Sequence, residues 1–290
     1  MRWDDAGDLV ARALAEDVGI GDVTTLATVC PSVMGQAFVV SRASGVIAGL
    51  PLIQLVYANV DDRVRVTLCV EDGAQLYPGL HVARVEGPAA ALLTGERVAL
   101  NLVQYLSGIA TRTADFVGRV AGTGARIVDT RKTVPGLRAL AKYAVRTGGG
   151  TNHRFGLYDG ILIKDNHILA AGGIAPAVER ARSRASHLLK IEVETDRLAQ
   201  VHEALAAGAD VILLDNMDLA TMRQAVELCR GRARTEASGG ITEETARAIA
   251  ETGVDLISVG ALTHSVRALD LGLDWVDLPG EMGQEGISGS

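Results

Sequence analysis

From Ala125 to Gly260 the chain alternates short apolar runs with longer amphipathic ones. ARIVD is followed by LRALAKYAVRT, GILIK by IAPAVERARS, and LLKIEVE by DRLAQVHEALAAG. DVILLD then leads to LATMRQAVELCR, RTEAS to EETARAIAET, and DLISVG closes the series. Repetition of this kind gives a parallel sheet, because parallel neighbours need a crossover long enough to hold a helix. An open doubly wound sheet and a barrel both satisfy it. The polar residues choose between them, since Asp129-Thr130-Arg131-Lys132, Lys164-Asp165, Glu192 with Glu194, Asp215-Asn216, Ser238-Gly239-Gly240 and Gly260 stand at the ends of nearly every run. A barrel gathers all its strand ends round one mouth, whereas an open sheet enlists only those at a switch point. Six visible strands fall short of eight, so the expected form is an incomplete, irregular α/β (TIM-like) barrel.

The preceding residues differ in texture. A helix is expected over Asp5–Glu16 and another over PLIQLVYANV, among the strands QAFVVSR, VRVTLCV and HVARV, which together suggest a small α+β domain. Gly95–Ala121 has helical spacing, with Val98, Leu102, Leu106 and Ile109 on one face. Arg97 falls in the first turn of that predicted helix, where the macrodipole disfavours a cation. A solvated arginine and one aimed at an anion are both consistent with that position.

Bulk composition narrows the partners. Of 290 residues, 48% are hydrophobic, enough for a substantial core, and the net charge of −7 argues against a nucleic-acid-binding face. No apolar run approaches the ~18 residues of a membrane span. Three widely spaced cysteines without a C-x-x-C pair fit reduced thiols in the cytoplasm. The histidines form no metal-ligand spacing, so a zinc site is not expected. Against this acidic background, Arg126–His167 holds eight Lys/Arg and three Asp/Glu. Such a local excess suits a pocket for a small anion.

Several residues carry that expectation. Arg131 and Lys132 end one strand and Lys164 the next, while His153-Arg154 follow the triple glycine of RTGGGTN, the candidate mobile loop. Arginine favours planar carboxylates and lysine is a compact charge suited to phosphate, so the mixture suits a substrate bearing both. Lys190, Glu192 and Glu194 alternate on one strand face, placed by parity in the barrel interior. There they form either a structural ion network or, at Glu194, a group facing Mg²⁺ or sugar hydroxyls, with Asp215 beside it. Ser238-Gly239-Gly240 before a helix, with Gly260 after the next strand, has the makings of a phosphate cradle.

The runs EDVGIGDVTT, ERVALNLVQYLSGIAT, DTRKTVPGLRALAKYAVRTGGGTNHRFGLYDGILIKDNH, IEVET, GADVILLDNM and EASGGI, in this order, resemble the quinolinate phosphoribosyltransferase family. The resemblance covers essentially the whole chain. It implies an N-terminal α/β sandwich over residues 1–110, with the tail 275–290 packing back on it, and the incomplete barrel over 111–274. It also implies a cytoplasmic homodimer that uses Mg²⁺ and makes nicotinate mononucleotide, CO₂ and pyrophosphate from quinolinate and phosphoribosyl pyrophosphate. By the same resemblance Arg131, His153, Arg154 and Lys164 line the quinolinate pocket, and Arg97 enters from the neighbouring subunit. Lys132 and Lys164 meet phosphoribosyl pyrophosphate, and Glu194 and Asp215 face its ribose and the metal. Ser238, Gly239, Gly240 and Gly260 hold the 5-phosphate. Lys132, Lys164, Glu194 and Asp215 carry the catalysis, and a cationic ring nitrogen leaves CO₂ loss without need of a dedicated acid or base. Three other readings compete: a lyase forming a Schiff base at Lys164, a transferase acting on another anionic heterocycle, and a non-catalytic phosphate binder.

Overall fold

The computed structural model describes residues 6–276. Asp5 and the tail 277–290, for which expectations were stated above, lie outside the described residues. In chain order the first elements are α1 (Gly7–Val18), α2 (Val23–Thr28), β1 (Met34–Ser41), β2 (Gly45–Val46), α3 (Pro51–Val60), β3 (Arg65–Leu68), β4 (Gln75–Leu76), β5 (His81–Pro88) and α4 (Ala89–Val120). Strand–helix units follow: β6 (Arg126–Val128), α5 (Arg138–Thr147), β7 (Ile161–Ile163), α6 (Asp165–Ala171), α7 (Ile174–Arg184), β8 (Ile191–Thr195) and α8 (Leu198–Ala206). The series ends with β9 (Val211–Asp215), α9 (Leu219–Cys229), β10 (Arg234–Ser238), α10 (Glu243–Ala250), β11 (Leu256–Ser258), α11 (Ala261–His264) and β12 (Leu271–Trp275).

Two units divide the chain, one of Tyr105–Ala268 and one of the residues up to Gln104 together with those from Leu269. The second is organised on an antiparallel sheet of order β12-β1-β5-β3. Pro51 opens α3 at a position where its missing N–H costs nothing. That helix buries Leu52, Ile53, Val56 and Tyr57, and burial of each aliphatic side chain contributes about 1.5–3 kcal/mol. Asp22 caps α2 by accepting from the Thr25 amide at 3.0 Å. β12 differs from expectation. Residues 271–274 fall in the range anticipated for the barrel, yet Leu271–Trp275 pairs antiparallel with β1, Ala37 facing Trp275.

α4 also differs. It starts at Ala89, six residues before the expected Gly95, because Ala89–Leu93 are good helix formers following directly on Pro88. Arg97 therefore stands more than two turns inside the helix, and the first-turn dipole argument does not apply to it.

The Tyr105–Ala268 unit contains six strands in the order β6-β11-β10-β9-β8-β7, every neighbouring pair parallel. Strands β7 to β11 follow each other in sequence, and the first strand, β6, sits beside the last. That winding is a barrel left open between β6 and β7. Residue Thr151 enters the opening and makes a parallel bridge to Val128. Interior and helix-facing sides of β8 and β9 are both buried, as expected of strands covered on two faces. The triple glycine answers a packing demand here: a Cβ at Gly148 would lie 2.3 Å from the Ala110 carbonyl oxygen.

Candidate active site

The strand ends converge on a cavity of about 170 Å³. Four cationic side chains reach it, Arg131 and Lys132 beyond β6, Arg154 in the opening between β6 and β7, and Lys164 beyond β7. Leu162 and Leu213 supply apolar wall, and Thr130, His153, Glu236, Ser238 and Ser258 complete the polar lining. The volume is comparable to the roughly 150 Å³ of an engineered cavity that accepts benzene. A flat ring with anionic substituents suits both its size and its charge.

The cations are held with little internal compensation. Among the described residues only Lys164 of the four forms an ion pair, with Glu194 of the adjoining strand. The Arg131 Nε is buried with no hydrogen-bond partner. Arg154 donates to the Gly160 carbonyl at 3.1 Å. Burial, then the neighbouring charge of Arg131, holds the Arg154 guanidinium below its usual range. Two guanidiniums in mutual repulsion, one with an unpaired buried nitrogen, make a site whose electrostatics improve when a carboxylate enters.

A buried network fixes the segment that carries His153 and Arg154. Lys142 is ion-paired with Asp129 inside the unit and donates to the His153 carbonyl at 3.0 Å. Asp129 accepts from the His153 amide at 2.9 Å and from Asn152 Nδ2 at 2.6 Å. Burial pushes the Asp129 carboxyl up, opposed by Lys142 and these donors. The Arg154 amide donates to His153 Nδ1 at 2.7 Å, which leaves Nε2 to carry the ring proton toward Glu192 Oε2 at 2.9 Å. Burial lowers the His153 imidazole and the carboxylates of Glu192 and Glu236 lift it, with a net rise.

The remaining predicted residues do not line the cavity. Glu194 is linked to it through Lys164. Asp215 ends β9 opposite Ser238, and its Oδ2 accepts from Asn216 Nδ2 at 2.9 Å. Gly239 has φ +97°, and a Cβ there would lie 2.2 Å from Asn216 Oδ1, so this turn requires glycine. Gly240 also has positive φ, +57°. At Gly260 the absent side chain makes room for Lys132, whose Cδ would be 3.1 Å from a Cβ. Arg97 lies in the other unit, 58% exposed and 3.6 Å from Glu96.

One expectation needs correcting. Lys190 does not share the barrel interior with Glu192 and Glu194; it precedes β8, is 77% exposed and pairs with Asp210 at 3.0 Å. Sequence reasoning also passed over Glu236 and the pairing of Lys142 with Asp129, which it read only as part of a polar strand end. Glu236 had a signal, since it shares its strand face with Ser238 two residues on.

The chain matches the model of the quinolinate phosphoribosyl transferase N-terminal domain over residues 22–107 and that of its C-terminal domain over residues 109–274. The chain belongs to the quinolinate phosphoribosyltransferase family. A nicotinate-nucleotide pyrophosphorylase (carboxylating) of Mycobacterium leprae is 50% identical over 278 residues, spanning 94% of this chain and 98% of that protein. A quinolinate phosphoribosyltransferase (decarboxylating) of Nicotiana tabacum is 41% identical over 93% of this chain and 82% of its own. Among solved structures, the nicotinate-nucleotide pyrophosphorylase of Francisella tularensis superposes with a TM-score of 0.92 at 39% identity, covering 95% of this chain and 98% of the other. Membership of this family decides for the transferase over the Schiff-base lyase and the non-catalytic binder. No described helix is long and apolar enough to cross a membrane.

Proposed function

We propose that this chain transfers the phosphoribosyl group of phosphoribosyl pyrophosphate to quinolinate with loss of CO₂, giving nicotinate mononucleotide and pyrophosphate for NAD biosynthesis. The observation that carries this reading is the ring-sized cavity walled by Leu162 and Leu213, with Arg131 and Arg154 incompletely compensated beside it. Quinolinate is a planar dicarboxylate and its co-substrate a polyphosphate, so the pocket's cations first offset their mutual repulsion.

Arg131, His153 and Arg154 hold the ring and its carboxylates, with Lys164 at the junction of the two substrates. Fixing the ring nitrogen in line with the anomeric carbon contributes roughly 7–11 kcal/mol to lowering the barrier. Lys132 takes charge from the departing pyrophosphate. Glu194 and Asp215 favour positive character on the ribose, and the turn Ser238-Gly239-Gly240, with Gly260 near Lys132, holds the 5-phosphate.

Mg²⁺ is the expected cofactor. Glu194 and Asp215 are hard oxygen donors on adjacent strands, and this set fits an ion that takes one or two protein carboxylates and completes its shell from substrate phosphates and water. When bound, it supplies charge neutralisation at the pyrophosphate. The protein acts as a cytoplasmic homodimer in this reading, with Arg97, exposed on α4, reaching the partner's quinolinate pocket.

The test is an assay of purified protein with quinolinate, phosphoribosyl pyrophosphate and Mg²⁺, following nicotinate mononucleotide and CO₂ together, with nicotinate as control. Equal amounts of both products from quinolinate and none from nicotinate are expected. Well-folded protein that makes neither product would overturn the reading.

A further inference from the structure

Around the cavity, the roles above leave a pair of buried acids without a task. Glu192 of β8 and Glu236 of β10 are 6% and 2% exposed, and Oε1 of each is buried with no hydrogen-bond partner. His153 stands between them, its Nε2 at 2.9 Å from Glu192 Oε2 and 3.7 Å from Glu236 Oε1. Of the two acids, Glu236 lines the cavity itself.

The reaction has a matching need. When CO₂ leaves, the electron pair of the broken C–C bond stays on the ring carbon, stabilised by the cationic nitrogen beside it. Bond breaking therefore needs no acid, but the product carries a C–H bond at that carbon, and a proton must be supplied to a site with apolar walls. The guanidiniums of Arg131 and Arg154 cannot release one. Lys164 is committed to Glu194.

We propose that Glu236 is the acid that protonates the ring carbon after CO₂ departs. Its O–H bond breaks, the C–H bond forms with the pair left by decarboxylation, and Glu236 is left as a carboxylate. A proton from water restores it once product has gone, with His153 Nε2 beside it. This assignment rests on the transferase reading above.

The surroundings keep that proton in place at neutral pH. Burial, then the charge of Glu192, pushes the Glu236 carboxyl up to about 8. His153 and Ser258 of β11 pull the other way, and Asp129 beyond β6, itself paired with Lys142, adds to the rise. The lining cations Arg131, Lys132, Arg154 and Lys164 complete the charges facing it. An acid in this range is matched to proton transfer near neutrality.

The experiment is a single-turnover measurement on the full chain with quinolinate labelled in the 2-carboxylate, following pyrophosphate, CO₂ and nucleotide across pH 6–10. In the unmodified enzyme, nucleotide formation should fall as pH rises through about 8 and should slow in D₂O. Glu236→Gln should release pyrophosphate within about twofold of wild type, form nucleotide about 10²-fold more slowly, and lose the alkaline limb. Glu236→Asp, which keeps the acid, should recover part of the rate and restore the limb. A Gln variant that forms nucleotide at the wild-type rate with the limb intact overturns the proposal and points to Lys132. Equal loss of pyrophosphate and nucleotide with an unchanged pH profile overturns it too, as a structural effect. Should the Gln variant not fold, absence of the limb and of the D₂O effect in the unmodified chain is sufficient to reject it. Unmodified chain that makes no product at all removes the transferase reading, an outcome recognised before any substitution is made.

Discussion

Lys142, only 2% exposed, forms an ion pair with the fully buried Asp129 and at the same time holds the carbonyl of His153. The pair thereby sets the position of the short segment that delivers His153 and Arg154 into the opening of the barrel. Removing Lys142 leaves the buried Asp129 carboxylate without its counter-charge, with only the His153 amide and Asn152 still donating to it. Lys142→Met is expected to lower unfolding free energy by about 3–5 kcal/mol in urea titrations. In whatever fraction folds, KM for quinolinate should rise several times more than KM for phosphoribosyl pyrophosphate. Equal changes in both would mean that the network supports the barrel without aiming the two residues.

The turn after β10 offers a second test. Gly239→Ala demands a left-handed backbone of a residue with a side chain and drives its Cβ against Asn216. A stability loss of about 1–3 kcal/mol is expected from the backbone alone, and more from the clash. Shortening the neighbour, as in Asn216→Ala with Gly239→Ala, should relieve the clash but leave the φ cost. Affinity for phosphoribosyl pyrophosphate, measured calorimetrically, should drop in both variants.

Stability should also depend on pH through Glu236. Its carboxyl is raised from an ordinary 4.5 to about 8 in the folded chain, so between those values the folded state binds more protons than the unfolded one. The stabilisation is complete below about pH 4.5 and is lost as pH climbs through 8. Thermal unfolding across pH 5–9 should show Tm of the wild type falling relative to Glu236→Gln over that interval. Parallel Tm curves would contradict the burial-driven rise.

The proposed sharing of the site between two subunits predicts complementation between dead parents. Arg97→Ala and Lys164→Ala homodimers should each be nearly inactive. Refolded together in equal amounts, half the dimers are hybrids with one intact site, so about a quarter of wild-type activity should return. No recovery despite hybrid formation, verified by native mass spectrometry, would place Arg97 in its own subunit's chemistry or in none.

Sequence pattern carried the barrel well, because each strand–helix unit is local and its parity decides which side chains face inward. The cluster of cations was equally readable, since Arg131, Lys132 and Lys164 sit at strand ends and Arg154 follows the triple glycine. What escaped was tertiary. Nothing local pairs Asp129 with Lys142, whose meeting depends on how α5 lies over β6. Glu236 was hidden by treating RTEAS as a strand valued for its end. The start of α4 was missed because Glu86-Gly87-Pro88 suggests a turn, although the chain passes directly from strand to helix there. β12 escaped for a simpler reason: its partner strand is remote. Arg42 and Asp274, ion-paired across that junction, are 232 positions apart.

That junction governs the order of events at the ribosome. β1 emerges early, but its outer hydrogen-bonding edge stays uncovered until every strand and helix of the barrel has been made. A long-lived bare edge is a template for pairing with other chains. Nascent chains halted before Leu271 should therefore need chaperone protection that the finished chain does not. Slower elongation through the barrel should then lengthen the time that this edge is exposed.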